Sequence, residues 1–416
     1  MGRNANTSEM VRLFGRIGCM SFGGPAAQIA LMQKELVDDR PLLTQPDFLK
    51  ALSFCMMLPG PEAMQLATYA GWKISGIRGG LIAGGLFVLP GALVIALLAF
   101  TYAALGTLPL VQAAFLGIKA AVIIIVVQAI LKLLGRALGR TDYRIIALLA
   151  FLALFVFNLP YPAVIVAAAL YGAWTCSDHT SVKSALPWRH SIAPIAVGGA
   201  LWALPLIAAW LAGATFLLAI GLFFSKLALV TFGGAYAVLA YMTQTVVTDY
   251  GWISTPEMID AFGLAETTPG PLILVTQFVG QLAGAAQGGW ALGLLAGLMT
   301  LWVTFVPCFI WIFAGAPLID WLDGYPRIRA GLAAITAAVV GVIANLSLWF
   351  AAHIVFDEVG VTSGPLSILS PVWSSFNLAA AVLTALAAAL LLWRKWSMGR
   401  TLGTMALAGI VIAQLG

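Results

Sequence analysis

Residues 21–24 read Ser-Phe-Gly-Gly, and the same pattern returns 210 positions later as Thr-Phe-Gly-Gly at 231–234. The triplet Pro-Gly-Pro at 59–61 returns at the same offset, at 269–271. The two 41-residue stretches that these motifs bound share 13 identities without a gap, where unrelated stretches would share about three. The chain therefore contains an internal duplication, and we call the repeated elements the FGG motif and the PGP motif.

The composition excludes an ordinary soluble protein. Hydrophobic residues make up 62% of the 416 residues and charged residues only 9%, whereas a soluble domain has about 25% charged residues. A single soluble core stops growing at roughly 250–300 residues, so this much apolar sequence has no water-soluble way to be buried. We therefore predict an all-α polytopic membrane protein that resides in the lipid bilayer.

The apolar runs predict about thirteen transmembrane helices, many close to the ~20 residues that a helix needs to cross a bilayer. These runs lie at residues 9–33, 48–72, 78–104, 110–134, 143–157, 160–176, 192–212, 214–243, 259–283, 287–315, 327–350, 375–393 and 399–415. The prolines at 158–162 favour a tight hairpin between two spans, although one kinked span over 143–176 stays open.

The duplication divides the chain into two six-helix repeats at 1–176 and 214–416, with a linker at 177–213 that holds one extra helix. Because six helices plus one separate the copies, the second repeat is inverted relative to the first, as in many secondary transporters. The bias of lysine and arginine toward alternate loops, such as the one around Arg140, predicts a cytoplasmic N-terminus and an external C-terminus.

Both motifs lie near the centres of their predicted spans, which places all four copies close to the bilayer midplane. Two prolines within three residues break a helix, so we expect discontinuous helices at the PGP motifs. Each break begins a new half-helix near Pro61 or Pro271. The free N–H groups at a helix N-terminus carry partial positive charge and bind oxyanions. The sequence therefore predicts a site suited to an anion.

The candidate substrate-binding residues are the motif residues and their polar neighbours. They are Ser21, Gly23, Gly24, Pro59, Gly60, Pro61, Gln65, Thr231, Gly233, Gly234, Thr268, Pro269, Gly270 and Pro271. Gln28 and Gln277 offer further amide donors at membrane depth. In the alternative interpretation, the glycines only allow close packing, the prolines only kink the helices, and the hydroxyls only cap carbonyls freed by the breaks.

Charged residues within the apolar runs form a second set of candidates. Glu62 follows the first PGP motif and Glu266 precedes the second, and an intramembrane carboxylate is by default a functional hypothesis. We assign both to coupling of transport to protons, although Glu62 could simply complement the dipole of its own helix. Lys119, within the fourth span, is a candidate for attracting the anion.

These motifs also resemble a known family. FGGPAAQIALM at 22–32, LPGPEAMQLATYAGW at 58–72 and FVLPG at 87–91, with ETTPGP at 266–271 and QFVG at 277–280, are similar to the chromate ion transporter family in its long, two-domain form. The resemblance implies export of chromate across the bacterial inner membrane, with sulfate as the related oxyanion. Both are tetrahedral dianions, so the sequence does not separate them.

Other classes of protein find less support. The chain shows no His-Glu-x-x-His zinc motif and no nucleophile elbow, so we do not expect an enzyme. It has no ATP-binding motif, which favours secondary active transport. A transporter or channel for another small anion stays open, as does assembly into a homodimer. We expect no cofactor, no metal site and no nucleic-acid partner.

Overall fold

The computed structural model describes residues 6–22, 24–176, 189–232, 235–319, 325–361 and 369–415. This part of the chain is almost wholly helical. Its α-helices are α1 (Thr7–Met20), α2 (Gly24–Gln33), α3 (Gln45–Met57), α4 (Glu62–Leu105), α5 (Pro109–Ala137), α6 (Thr141–Phe155), α7 (Tyr161–Thr175), α8 (Arg189–Leu211), α9 (Thr215–Val230), α10 (Ala235–Thr243), α11 (Thr255–Thr267), α12 (Val275–Gly315), α13 (Pro326–Val355), α14 (Leu378–Ala388) and α15 (Met398–Leu415).

Short irregular turns and one small hairpin join these helices. Strand β1 (Val359–Val361) pairs antiparallel with β2 (Leu369–Pro371). The remaining turns are π-helical at Lys34–Asp38, Gln244–Asp249 and Ala389–Trp393, and 3₁₀-helical at Leu272–Leu274, Ala316–Leu318 and Trp373–Ser375. The first two π-helical turns occupy equivalent positions of the two repeats, which shows that local structure, as well as sequence, recurs between the halves.

Five helical segments in the described residues are long and apolar enough to cross a bilayer. They are Glu62–Leu105, Pro109–Lys132, His190–Leu211, Leu272–Leu318 and Pro326–Val355. The chain is accordingly an all-α, multi-pass membrane protein. Shorter helices occupy the other predicted spans. The stretch 143–176 forms two helices, α6 and α7, on either side of Asn158, whose φ of 47° turns the chain sharply. The total of thirteen crossings stays a prediction.

Helix α4 is a hairpin of two helical arms. The backbone leaves helical geometry at Ser75 and Gly76, where Gly76 has a φ of 65°. A Cβ on Gly80 would lie 3.1 Å from the carbonyl oxygen of Thr68, and one on Gly84 would collide with the Thr68 hydroxyl. Residues this far apart in sequence cannot touch within one straight helix, since each residue adds about 1.5 Å of length. The arms therefore lie antiparallel in close contact.

Helix α12 repeats this hairpin in the second half. Its helical geometry breaks at Gly288 and Gly289, where Gly289 has a φ of 75°. A Cβ on Gly280 would lie 3.2 Å from Cβ of Thr300. In α4 the threonine lies on the first arm and the glycine on the second. In α12 the glycine lies on the first arm and the threonine on the second, so the two hairpins pack equally closely with the two residue types exchanged. Small residues at such contacts are typical of helix pairs in membranes.

The described chain divides into two compact units. The first comprises Met1–Thr101, His179–Ala235 and Leu264–Pro326; the second comprises Tyr102–Asp178, Tyr236–Gly263 and Arg327–Gly416. Each unit therefore combines segments from both halves of the sequence. The repeat boundaries 1–176, 177–213 and 214–416 describe the duplication and stay a prediction. Within the second unit α15 packs closely along α5, because a Cβ on Gly117 would meet the backbone of Met405.

We predict that reporter fusions after Arg140 and after Gly416 lie in opposite compartments. Arg140 lies between α5 and α6, in a loop whose basic residues favour the cytoplasm, whereas the C-terminus is expected outside. A fusion after Gly106, between α4 and α5, is the matched control and should report the outside. Agreement between the Arg140 and Gly416 reporters would mean that the span count is wrong by an odd number.

Candidate functional site

All four motifs interrupt helices, as the sequence predicts for the PGP motifs. Helix α1 ends at Met20 and α2 begins at Gly24, whose φ is 78°; α9 ends at Val230 and α10 begins at Ala235. The PGP motifs lie in the gaps between α3 and α4 and between α11 and the helical turn that leads into α12. The predicted binding residues Gly23, Gly233 and Gly234 lie outside the described residues.

The motifs of one half bind those of the other through a reciprocal pair of backbone hydrogen bonds. The N–H of Gly270 donates to the carbonyl of Ser21 at 2.8 Å, and the N–H of Gly60 donates to the carbonyl of Thr231 at 2.8 Å. The two donors, Gly60 and Gly270, are 210 positions apart, and so are the two acceptors, Ser21 and Thr231. Each PGP motif is therefore held by the FGG motif of the opposite half, all within the first unit. We call this arrangement the crossed pair.

Glycine is required at the centre of each PGP motif by its backbone. Gly60 has a φ of 119° and Gly270 a φ of 89°, a region that other residues enter only at a cost. The space at Gly60 is also filled, since a Cβ there would lie 2.8 Å from Nε2 of Gln65 and 2.9 Å from Sγ of Cys308. The positive φ of the glycine therefore sets the turn that precedes each half-helix.

A second reciprocal contact involves the far arms of the hairpins. A Cβ on Gly91, in α4, would collide with the carbonyl oxygen of Pro269 and lie 3.1 Å from its carbonyl carbon. Cys308, in α12, is the equivalent of Gly91 when Pro90 is aligned with Pro307, and it lies against Gly60. Each hairpin therefore supports the PGP motif of the other half.

Buried glutamine amides satisfy the carbonyls freed by these breaks. Nε2 of Gln28 donates to the carbonyl of Gly270 at 2.7 Å and of Ser21 at 3.3 Å, and Nε2 of Gln65 donates to the carbonyl of Pro59 at 2.7 Å. The equivalent of Gln28 in the second half is Val238, so this bond has no symmetric partner. The site is therefore only approximately two-fold.

Two glutamine oxygens near the breaks lack a partner. Gln65 is fully buried and Gln277 is 3% exposed, and neither Oε1 accepts a hydrogen bond from the described residues. Nε2 of Gln277 donates to the carbonyl of Ala92 at 3.0 Å. A buried acceptor without a donor is costly. These oxygens are places where a water molecule or another donor would be held.

The hydroxyls follow the alternative that the sequence left open. The hydroxyl of Ser21 donates to the carbonyl of Ile17 at 2.6 Å, and that of Thr268 donates to the carbonyl of Leu264 at 2.7 Å. Thr231 bonds in the same way to its own helix. In this conformation these hydroxyls cap their own helices, so their hydrogens are not directed at a ligand.

The candidate charged residues occupy different surroundings. Glu62 is half-buried as the first residue of α4, and Glu266 is only 5% exposed in α11. Lys119 belongs to the second unit, where its Nζ lies 3.0 Å from Oδ1 of Asp260. Its charge is therefore balanced by a carboxylate. The sequence analysis missed Asp260, although an acidic residue at the start of the apolar run 259–283 was a usable signal.

The comparisons with known proteins agree with the motifs. The chain matches the family described as Chromate transporter over residues 8–173 and 218–413. It is 30% identical over 355 residues to a chromate transport protein of Cupriavidus metallidurans, with 84% of each chain covered. It is 32% identical over 341 residues to one of Pseudomonas aeruginosa, with 80% of this chain and 79% of the relative covered. No solved structure matches the chain significantly.

We predict that Gln28→Glu destabilises the first unit, because a carboxylate would replace the amide donor that faces the Gly270 and Ser21 carbonyls. The loss should be about 1–3 kcal/mol or more, the cost of leaving buried polar groups unpaired. Thermal unfolding of the purified protein in detergent measures it. Gln33→Glu, at a more exposed position of α2, is the matched control. Equal unfolding temperatures for the two variants would show that the Gln28 amide supports nothing.

Proposed function

The chain belongs to the chromate transporter family, and on that premise we propose that it exports chromate across the membrane by secondary active transport. We further propose that sulfate, a tetrahedral dianion of the same charge, is a related substrate. The observation that carries the placement of the site is the crossed pair, because it joins all four repeated motifs in one unit. The relatives named as chromate transport proteins support the choice of oxyanion.

We place the dianion at the half-helices that start after Pro61 and Pro271. In α4 the first main-chain bond runs from the N–H of Gln65 to the carbonyl of Pro61, at 3.1 Å. After the second motif, the N–H of Leu274 bonds to the carbonyl of Pro271 at 2.9 Å. The N–H groups of Ala63 and Met64 precede the first bond and that of Ile273 precedes the second, at positions where a helix offers its own N–H groups no carbonyl. Such amides, with the helix dipole behind them, favour an oxyanion.

Backbone donors suit transport because the substrate must also leave. A bidentate arginine pair would hold a dianion strongly, whereas fixed dipoles of partial charge hold it more weakly. The unpartnered amide oxygens of Gln65 and Gln277 fit water molecules that accompany the anion. We therefore propose that the PGP motifs supply most of the binding. Ser21 and Thr231 then act indirectly, because their backbone carbonyls accept from Gly270 and Gly60 and hold the PGP motifs in place.

We retain the architecture of two inverted six-helix repeats with thirteen crossings, in the bacterial inner membrane. Support comes from the two separate stretches that match the same family, at 8–173 and 218–413. The recurrence of the interrupted helices, hairpins and π-helical turns at equivalent positions also supports it. Interrupted helices at matching positions of two repeats are typical of transport sites at the midplane. A homodimer is compatible with this arrangement.

We predict that Gly24→Val abolishes transport of chromate while the protein still inserts and expresses. No described atom lies within 4 Å of a Cβ at Gly24, so the damage would come from its φ of 78°, which valine does not tolerate. Gly15→Val in α1, where the space is equally open but the backbone is helical, is the matched control. Gly234→Val, in the second FGG motif, should behave like Gly24→Val.

The measurement is binding and uptake of chromate and sulfate by purified protein in inside-out and right-side-out vesicles. The proposal expects uptake in one orientation for the parent and the Gly15 variant. Undiminished affinity in both motif variants would refute this placement of the site. Absence of any oxyanion flux in the parent would refute the proposed function itself.

We predict that Glu266→Gln keeps substrate binding but removes the dependence of transport on a pH gradient. Glutamine preserves the size of the buried side chain and cannot exchange a proton. Glu62→Gln, at the half-buried start of α4, tests the second coupling candidate in the same assay. Transport by the Glu266 variant with an unchanged response to the gradient would make Glu266 a structural residue.

A further inference from the structure

The second unit contains a buried cluster of three titratable side chains from three helices. Oδ1 of Asp260 in α11 lies 3.0 Å from Nζ of Lys119 in α5. The hydroxyl of Tyr102, at the end of α4, donates to Oδ2 of Asp260 at 2.7 Å. The side chains of Asp260 and Lys119 are only 7% and 20% exposed.

One member of the cluster lies near the middle of a candidate membrane span. The candidate span Pro109–Lys132 contains Lys119, about 15 Å along the helix axis from Pro109 and about 20 Å from Lys132. Helix α11 is buried without interruption from residue 258 to 266, so the protein encloses Asp260 and the residues that follow it in the helix. Charged groups within a membrane span are expensive, and such a residue is by default a functional hypothesis.

Structural need does not explain the cluster well. Replacing a buried ion pair by apolar residues is often neutral or stabilising, so a purely structural role would not require it. The repeat gives the same indication, because the equivalent of Asp260 is the exposed Lys50 and the equivalent of Lys119 is Thr336. The equivalent positions therefore do not combine an acidic with a basic side chain.

We propose that Asp260 is a proton-exchanging residue that couples protons to oxyanion transport, with Lys119 as its counter-charge and Tyr102 as its positioning partner. This inference rests on the proposed function. A proton taken from water on one side binds the Asp260 carboxylate, and the same proton leaves to the other side later in the cycle. The cluster then changes from net neutral to net positive, which favours a dianion in the membrane. By linkage, a bound dianion favours the protonated cluster equally, so proton and dianion cross in the same direction. Together they carry one net negative charge, which an inside-negative membrane potential drives outward, in the direction of the proposed export.

Several titratable side chains lie near Asp260 and can interact with its proton. Lys119 faces it from α5, Tyr102 from α4, and Glu257 lies one turn earlier on α11, where its carboxylate accepts from the N–H of Ser254. Helix α13 packs on the neighbouring Phe262 through Phe350. The nearest titratable side chain of α13 in sequence is His353, whose Nδ1 is bonded to the carbonyl of Trp349. Glu266, six residues further along α11, is the other carboxylate of the buried stretch 258–266.

The test uses the full chain in proteoliposomes with the membrane potential clamped at zero. Chromate accumulation is measured at steady state under an imposed pH gradient, on the alkaline side where chromate stays a dianion. Coupling of one proton to each anion changes the accumulation ratio about tenfold per pH unit. A pH-sensitive dye inside the vesicles reports the proton flux. The first variant is the double variant Lys119→Gln with Asp260→Asn, which removes both charges and so leaves neither unpaired. The second is Asp260→Glu, and the control is Glu257→Gln.

The parent, Asp260→Glu and Glu257→Gln should show the tenfold response and a chromate-dependent proton flux. The neutral double variant should still equilibrate chromate, with an accumulation ratio near one at every gradient and no proton flux. A full response in the double variant would overturn the inference and leave the cluster structural. If the double variant does not insert, the single variants Asp260→Asn and Asp260→Glu are compared. The inference requires that Asp260→Asn loses the response to the pH gradient and that Asp260→Glu keeps it. Equal responses in the two variants would overturn the inference. A parent that moves no chromate would instead refute the proposed function.

Discussion

The structure of the first unit depends on the crossed pair, in which Gly60 donates to Thr231 and Gly270 donates to Ser21. Neither interrupted helix could persist alone in an apolar environment, because the breaks expose N–H and carbonyl groups that lipid cannot satisfy. At each FGG break a backbone carbonyl accepts a hydrogen bond from the glycine N–H of the PGP break in the other half. The hairpins α4 and α12 support this exchange by pressing Gly91 and Cys308 against the PGP motifs. The two breaks thus satisfy backbone groups of each other.

The same exchange explains which residues are free to change between the halves. Gly60 and Gly270 must keep their left-handed backbone, so both halves keep glycine. Gln28, which bridges the carbonyls of Gly270 and Ser21, is matched by Val238 and makes the site asymmetric. The two half-sites are therefore not equivalent in their hydrogen bonds.

Much of this fold could be predicted from the sequence, because each motif determines the backbone conformation at its own position. Two prolines within three residues break a helix wherever they lie, and the 210-residue offset alone indicates that the breaks recur. The sequence could not show which half each motif binds, since a hydrogen bond between Gly60 and Thr231 leaves no trace in composition. It also could not show that Ser21 and Thr268 cap their own helices. The pairing of Lys119 with Asp260 was missed because it joins helices far apart in sequence.

The central claim is that the two half-helices after Pro61 and Pro271 hold a tetrahedral dianion. An experimental structure of the purified chain with selenate tests it most directly, because selenium gives an anomalous signal that sulfate lacks. The account predicts selenium in the first unit, with selenate oxygens about 3 Å from amide nitrogens that follow Pro61 or Pro271. Selenate bound only in the second unit, or density at the PGP motifs without selenium, would contradict it.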